Sequence, residues 1–208
     1  MEQLNIFGES LQTIVLPPEL LEYHPRIFDA METKAFMTEF INNVPWQQRI
    51  VAMYGKQIIT PRLTAWYGDA SSDYTFSGTK FDPLPWTKEL LLIKSKVETI
   101  AGINFNSVLL NYYRDGNDSV AWHSDDENEL GVNPVIASLS LGQMRRFDIR
   151  NKRDHQKKYS VDLENGSLLL MKGNLQHYWE HRIAKSTKLL KERVNLTFRV
   201  INKVKGER

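Results

Sequence analysis

Residues 107–125 read SVLLNYYRDGNDSVAWHSD. Two runs rich in leucine, valine and aromatic residues flank a DGND turn signal, the pattern of short antiparallel strands. The second run ends on His123-Ser124-Asp125. Side chains alternate along an extended strand, so Ala121, His123 and Asp125 share one face while Val120, Trp122 and Ser124 share the other. One further distant histidine would give a metal two nitrogens and one oxygen. That facial triad leaves coordination positions open and suits non-haem Fe(II). Taken alone, a histidine and an aspartate two apart arise readily by chance, and the ordinary reading is a hydrogen-bonded pair at a strand end.

Working outward, PVIASLSLG, RRFDIRNK, KKYSVDLE, GSLLLMKG and RVNLTFRVI repeat the same short-strand character between Gly, Asn and Asp turns. They argue for an antiparallel sandwich or barrel. The other side of the chain differs. METKAFMTEFINNV, 31–44, places Ala35, Phe36, Phe40 and Ile41 at helical spacing. A second helix is expected over 87–103, with Gly102 ending TKELLLIKSKVETIAG. Residues 47–82 mix short strands with turns, and 1–30, broken by Pro17, Pro18 and Pro25, are expected to be irregular.

The third metal ligand has two candidates in LQHYWEHRIA, His177 and His181. An HxxxH pair on a helix would suggest zinc, but there is no HExxH, and Gly173, Tyr178 and Trp179 argue against a stable helix. On an extended segment His177, Trp179 and His181 share a face. Spacing does not choose between the two histidines.

In the last strand, 193–200, Arg193, Asn195, Thr197 and Arg199 alternate with Val194, Leu196, Phe198 and Val200. The plain reading is a polar outer face on a surface strand. The alternative turns the polar face inward. Six residues of strand span about 20 Å, so two arginines reaching toward each other could bracket a small dicarboxylate, a task for which the guanidinium fork suits better than lysine. Asn111 and Tyr113 could add neutral hydrogen bonds.

Bulk properties narrow the field. The chain has 208 residues, 41% of them hydrophobic, and a net charge of +2, which fits one domain with a substantial core. It has no cysteine, so disulfides, thiolate metal sites and cysteine nucleophiles are excluded. No apolar run approaches a membrane span. Met1 to Pro18 lacks a basic region leading into an apolar stretch, so no signal peptide is expected. A monomer is expected, cytoplasmic in a bacterium or nuclear in a eukaryote. Between Arg145 and Lys158 lie seven cations against Asp148 and Asp154, a stripe that could bind phosphate or be a solvated charged hairpin.

Jointly, residues 111–127 (NYYRDGNDSVAWHSDDE), Trp179-x-His181 and RVNLTFR, 193–199, resemble the AlkB family of Fe(II)- and 2-oxoglutarate-dependent dioxygenases. The likeness is greatest to the branch of AlkB homologues two and three. PVIASLSLGQMRRFDIRNK, VPWQQ, TPR and YGD…YTFSG fit that branch too, so matching motifs run from about Phe40 to Arg199. The resemblance implies a mainly β, α+β fold: a double-stranded β-helix, or jelly roll, with N-terminal helices and a nucleotide-recognition lid. The division would be an irregular 1–30, helices and lid over 31–103, the core over 104–202 and a basic tail over 203–208, all one structural unit.

By the same resemblance His123, Asp125 and His181 hold iron. Asn111, Tyr113, Arg193, Asn195, Thr197 and Arg199 line the 2-oxoglutarate pocket, with Arg193 on the far carboxylate and Arg199 near the iron-chelating end. Tyr74 and Phe76 stand beside a flipped base. Asp126 and Glu127, which by themselves read as a solvated acidic turn, would accept from its exocyclic amine. Tyr54 falls where relatives that act on duplexes carry a wedge, and Arg62 would meet a phosphate or simply be exposed. The implied reaction is oxidative demethylation of 1-methyladenine and 3-methylcytosine in single- or double-stranded DNA, using Fe(II), 2-oxoglutarate and O2. The rivals are an oxygenase of RNA or protein, a non-catalytic binder of damaged nucleic acid, and a zinc module using His177 and His181.

Overall fold

Strand and helix boundaries follow the local signals closely in the computed structural model, which describes residues 17–53, 56–70, 74–76, 79–81 and 83–202, with side chains described outside 51–58 and 71–82. In chain order the elements are β1 (Leu21–His24), α1 (Ala30–Asn43), β2 (Gln47–Met53), β3 (Lys56–Gly68), β4 (Tyr74–Phe76), β5 (Thr79–Phe81), α2 (Lys88–Ala101), β6 (Ser107–Tyr113) and β7 (Val120–His123). A 3-10 turn (Asn128–Leu130) precedes β8 (Ile136–Gly142), β9 (Arg145–Asn151), β10 (Lys158–Leu163), β11 (Ser167–Met171), α3 (Leu175–Tyr178), β12 (Trp179–Ile183) and β13 (Arg193–Arg199). Among the described residues no helix is long and apolar enough to cross a membrane.

Both long helices begin at side-chain caps. Asp29 accepts from the N–H groups of Met31 and Glu32, and Glu32 accepts in return from the Asp29 N–H. Such a cap is worth about 1 kcal/mol. Thr87 caps α2, and Gly102, with φ of 70°, closes it in the left-handed region that a glycine enters without a Cβ clash. The buried stripe of α1 is Thr33, Phe36 and Phe40; Ala35, expected on that stripe, is exposed.

The strands form two antiparallel sheets of the jelly roll, seven strands in the order β1-β11-β8-β13-β6-β3-β2 and four in the order β10-β9-β12-β7, with β4 and β5 as a separate hairpin. Helices α1 and α2 cover the outer face of the larger sheet. There Phe36, Phe40, Leu90, Ile93 and Val97 pack on Leu110, Leu139, Val194, Leu196 and Phe198. A second core fills the space between the sheets, with Ile136, Leu169 and Met171 against Phe147, Ile149, Leu163 and Ile183. Each such side chain contributes about 1.5–3 kcal/mol on burial.

Two features differ from the sequence reading, and a third decides between its two alternatives for the last strand. The segment expected to be irregular contributes β1, which pairs with β11 at the sheet edge. Strand β3 pairs directly with β6, so the large sheet continues across the 103/104 division. Strand β13 lies between β6 and β8, and all its residues are buried. Its polar residues therefore face the space between the sheets, not solvent. Alternation identifies two faces, but it cannot say which is wet when helices cover one and a second sheet the other.

Gly166 sits in the tight turn before β11 with φ of 76°, and a Cβ there would lie 2.4 Å from the Phe28 carbonyl oxygen. Gly166→Ala is expected to destabilise the protein by about 2 kcal/mol or more. Thermal unfolding should show a fall of roughly 4–8 °C; an unchanged melting temperature would mean that the turn relaxes freely.

Candidate active site

Strands β7 and β12 pair so that His123 stands directly opposite His181. Their register then shifts, Ile183 pairing with Val120, an irregularity of the kind that re-aims side chains. The rings lie 4.3 Å apart between centroids. Asp125 follows β7 by two residues and points the same way, so the ligand atoms of His123, Asp125 and His181 all lie within 4.8 Å of one another. His181 and Asp125 are buried, His123 only partly. His177 is placed elsewhere: α3 forms a single helical turn that switches to extended backbone at Trp179, leaving His177 exposed, with its Nε2 3.5 Å from the Asn133 N–H.

The donor set fits a divalent metal. His123 Nδ1 is 2.9 Å from the Ala121 carbonyl oxygen. A carbonyl only accepts, so the proton resides on Nδ1 and the Nε2 lone pair is available. His181 is pushed down to about 3 by burial first and by the charge of His123 second, so it is neutral at physiological pH. Its Nδ1 is buried without a hydrogen-bond partner among the described residues. Burial pushes the Asp125 carboxyl up, but Arg199, His123 and His181 outweigh it and hold the group below the usual carboxylate range. Two imidazoles and a carboxylate suit a hard-to-borderline divalent cation.

Beside the triad, the inner face of β13 meets the inner faces of its neighbours. Arg193 pairs in register with Tyr113, and Asn195 with Asn111 on one side and Ser140 on the other. Arg199 Nη2 donates to Asp125 Oδ2 at 3.0 Å. Asn195 donates to Ser138 Oγ and the Leu139 carbonyl and accepts from Thr197 Oγ1. At the other end Arg193 lies over the Tyr113 ring, 4.9 Å from its centroid, and donates to Ser140 Oγ at 2.9 Å. It is only 1% exposed, and its Nε and Nη1 have no hydrogen-bond partner among the described residues. Burial pushes its guanidinium down, yet arginine keeps its charge in proteins. The strand thus presents one arginine bound to a candidate metal ligand and another with donors to spare.

These residues line one cavity with an apolar wall of Leu109, Val120, Phe147, Leu163, Met171 and Ile183. Arg49, Arg62 and Glu127 also line it. Arg62, for which the sequence left a phosphate contact or simple exposure, is only partly exposed, and its Nε donates to Asn111 Oδ1 at 2.7 Å. The acidic pair separates. Glu127 faces the cavity, whereas Asp126 is exposed, accepts from Ser124 and pairs with Lys152 at 3.4 Å. Tyr54 lies outside the described residues. Tyr74 and Phe76 lie on β4, with their side chains outside the description.

Three cations of the basic stripe are committed within the protein, and Arg146, Arg153, Lys157 and Lys158 are exposed. Arg145 is buried and donates to the carbonyls of Asp115, Asp118 and Ala184. Arg150 pairs with Glu180 at 2.6 Å and lies over Trp122, while Lys152 donates to the Gln176 carbonyl. Arg146 lies 3.9 Å from Asp148, and Lys157 lies 3.7 Å from Asp154. Linear charge density overstates its reach toward a phosphate, because Glu180 and the carbonyls that bind Arg145 and Lys152 are distant in sequence. Sequence reasoning does not single out Arg49 or Gln176, since neither stands in a chemical motif.

Comparison with known proteins places this geometry. The model of the 2OG-Fe(II) oxygenase superfamily matches residues 21–199. "Alpha-ketoglutarate-dependent dioxygenase alkB homolog 3" of Rattus norvegicus is 41% identical over 187 residues, covering 86% of this chain and 63% of that protein. Its Homo sapiens counterpart is 39% identical, covering 86% and 65%. "DNA oxidative demethylase ALKBH2" of Homo sapiens is 42% identical over 158 residues, covering 73% of this chain and 60% of that protein. The chain thus spans less than two thirds of the length of these relatives. Among solved structures, "The structure of OsALKBH1" aligns with a TM-score of 0.60 at 15% identity, covering 86% of this chain and 97% of that one, a likeness of fold.

Proposed function

The chain belongs to the 2OG-Fe(II) oxygenase superfamily, and from that premise we propose that it oxidatively demethylates N-alkylated bases, 1-methyladenine and 3-methylcytosine, in DNA. The cofactors are those of the superfamily, Fe(II), 2-oxoglutarate and O2. The observation that carries the reading is the convergence of His123, Asp125 and His181 beside the buried arginines of β13. The substrate rests on the relatives, of which one is named a DNA oxidative demethylase.

His123, Asp125 and His181 would hold the iron. When bound, iron with 2-oxoglutarate and O2 supplies the oxidant that hydroxylates an N-methyl carbon, 2-oxoglutarate leaving as succinate and CO2. The hydroxymethyl adduct then collapses: its C–N bond breaks, the carbon departs as formaldehyde, and the ring nitrogen keeps the electron pair. The protein's share is positioning and exclusion of water. Arg193, with donors to spare above Tyr113, would bind the far carboxylate of 2-oxoglutarate, and Asn111, Asn195 and Thr197 would line its chain. Arg199, which donates to Asp125, would lie near the keto-acid end. The apolar wall, Phe147 foremost through its ring 5.0 Å from that of His181, keeps water from the reacting carbon. Glu127, which lines the cavity, would accept from an exocyclic amine and favour a cationic base. Tyr74 and Phe76 would stack that base, which must leave a duplex to be reached at all. The protein would work as a monomer.

The test is a panel of methylated single- and double-stranded DNA, RNA and peptide, with iron and 2-oxoglutarate supplied. Succinate and formaldehyde should form in equal amounts from methylated DNA. Faster turnover of RNA would reassign the substrate, and no product from any nucleic acid would sink the reading.

A further inference from the structure

Gln176 is buried, 1% exposed, and lies outside every chemical motif of the chain. Its side chain holds the Asp125 segment directly, and its backbone holds Lys152, which reaches the same segment at Asp126. Oε1 accepts from the Asp125 backbone N–H at 3.0 Å. Because that partner is a donor, the orientation of the amide is unambiguous, and Nε2 turns to Met171 Sδ at 3.8 Å. The Gln176 carbonyl accepts from Lys152 Nζ at 2.9 Å, and Lys152 also reaches Asp126 at 3.4 Å.

The position matters as much as the bonds. Strand β7 ends at His123, so Asp125 lies beyond that strand, and Gln176 supplies the acceptor for its N–H. Gln176 itself sits in α3, the turn that leads directly into β12 and His181. One side chain therefore ties the segment bearing the carboxylate to the segment bearing the far histidine. Arg199 restrains the Asp125 carboxylate from the opposite side.

We infer that Gln176 is a positioning residue that sets Asp125 in register with His181 and so fixes the geometry and affinity of the metal site. The inference rests on the triad being that site. Groups that orient ligands from behind typically tune metal affinity 10- to 100-fold, and an amide suits the place because it accepts from the backbone without adding charge beside Asp125.

The test uses the full chain stripped of metal by chelation and titrated with Co(II), whose visible absorption reports ligand geometry. Gln176→Met keeps the bulk and removes the acceptor; Leu175→Val disturbs the packing of the same turn and leaves the acceptor in place. Gln176→Met should bind Co(II) about 10- to 100-fold more weakly than the wild type, with altered band intensities, and Leu175→Val should stay near the wild type. Wild-type affinity and spectrum in Gln176→Met would overturn the inference. So would an equal loss in both variants, which would signal packing alone. If Gln176→Met does not fold, amide exchange at Asp125 in the metal-free wild type decides: strong protection supports the Gln176 bond, and free exchange overturns it. Failure of the wild type to bind Co(II) would instead remove the metal site itself.

Discussion

His123→Ala is expected to abolish turnover while leaving the fold intact. Loss of a bound metal forfeits several kcal/mol of transition-state stabilisation, and each 1.36 kcal/mol is tenfold, so succinate formation should fall at least about 1,000-fold. His123 is the cleanest of the three ligands to remove. It is partly exposed, and its Nδ1 bond to Ala121 is local. Asp125→Ala should be as inactive but also unstable. It would remove the buried carboxylate that accepts from Arg199 at 3.0 Å, and breaking a buried pair costs up to about 3–5 kcal/mol. Measured side by side, the two variants should match in activity and differ in melting temperature. More than a tenth of wild-type turnover in His123→Ala would take that residue out of the metal site.

Arg193→Met should move affinity and stability in opposite directions. Without cosubstrate, Arg193 is a buried charge that donates to a neutral hydroxyl, that of Ser140. An apolar side chain of similar length avoids that desolvation, and such replacements are often neutral or stabilising by about 1–4 kcal/mol. The melting temperature should therefore hold or rise by a few degrees. A bidentate charge-assisted pair with a carboxylate would be lost, at about 1.5–3 kcal/mol per hydrogen bond. The KM for 2-oxoglutarate should rise about 100-fold or more, with a smaller change in kcat at saturation. An unchanged KM would show that Arg193 does not meet the cosubstrate, and a large drop in melting temperature would make its role structural.

Much of the fold is legible in local patterns of the chain. Short strands, both helices and the pairing of His123 with Asp125 follow from periodicity and turn signals, because these are local. What alternation cannot supply is the direction of a face. Arg193, Asn195, Thr197 and Arg199 read most simply as a wet surface, and only the burial of β13 between two strands and beneath two helices turns them inward. The choice of His181 over His177 depends on a switch from helical to extended backbone at Trp179, which spacing does not encode. The surroundings of Arg62, Arg145 and Asp126 escape a linear reading for one reason: their partners, Asn111, Ala184 and Lys152, are distant in sequence.

The central place of β13 has a consequence for the life of the chain before the protein is finished. It is the last strand among the described residues, yet it separates β8 from β6 in the middle of the large sheet. A nascent chain halted before residue 193 would carry two unpaired strand edges where a continuous sheet belongs, and exposed edges invite aggregation. Translation must therefore pass residue 199 before the sheet can close. The same step delivers Arg193 and Arg199, so a truncated product would have neither a stable scaffold nor the two buried arginines of the cavity.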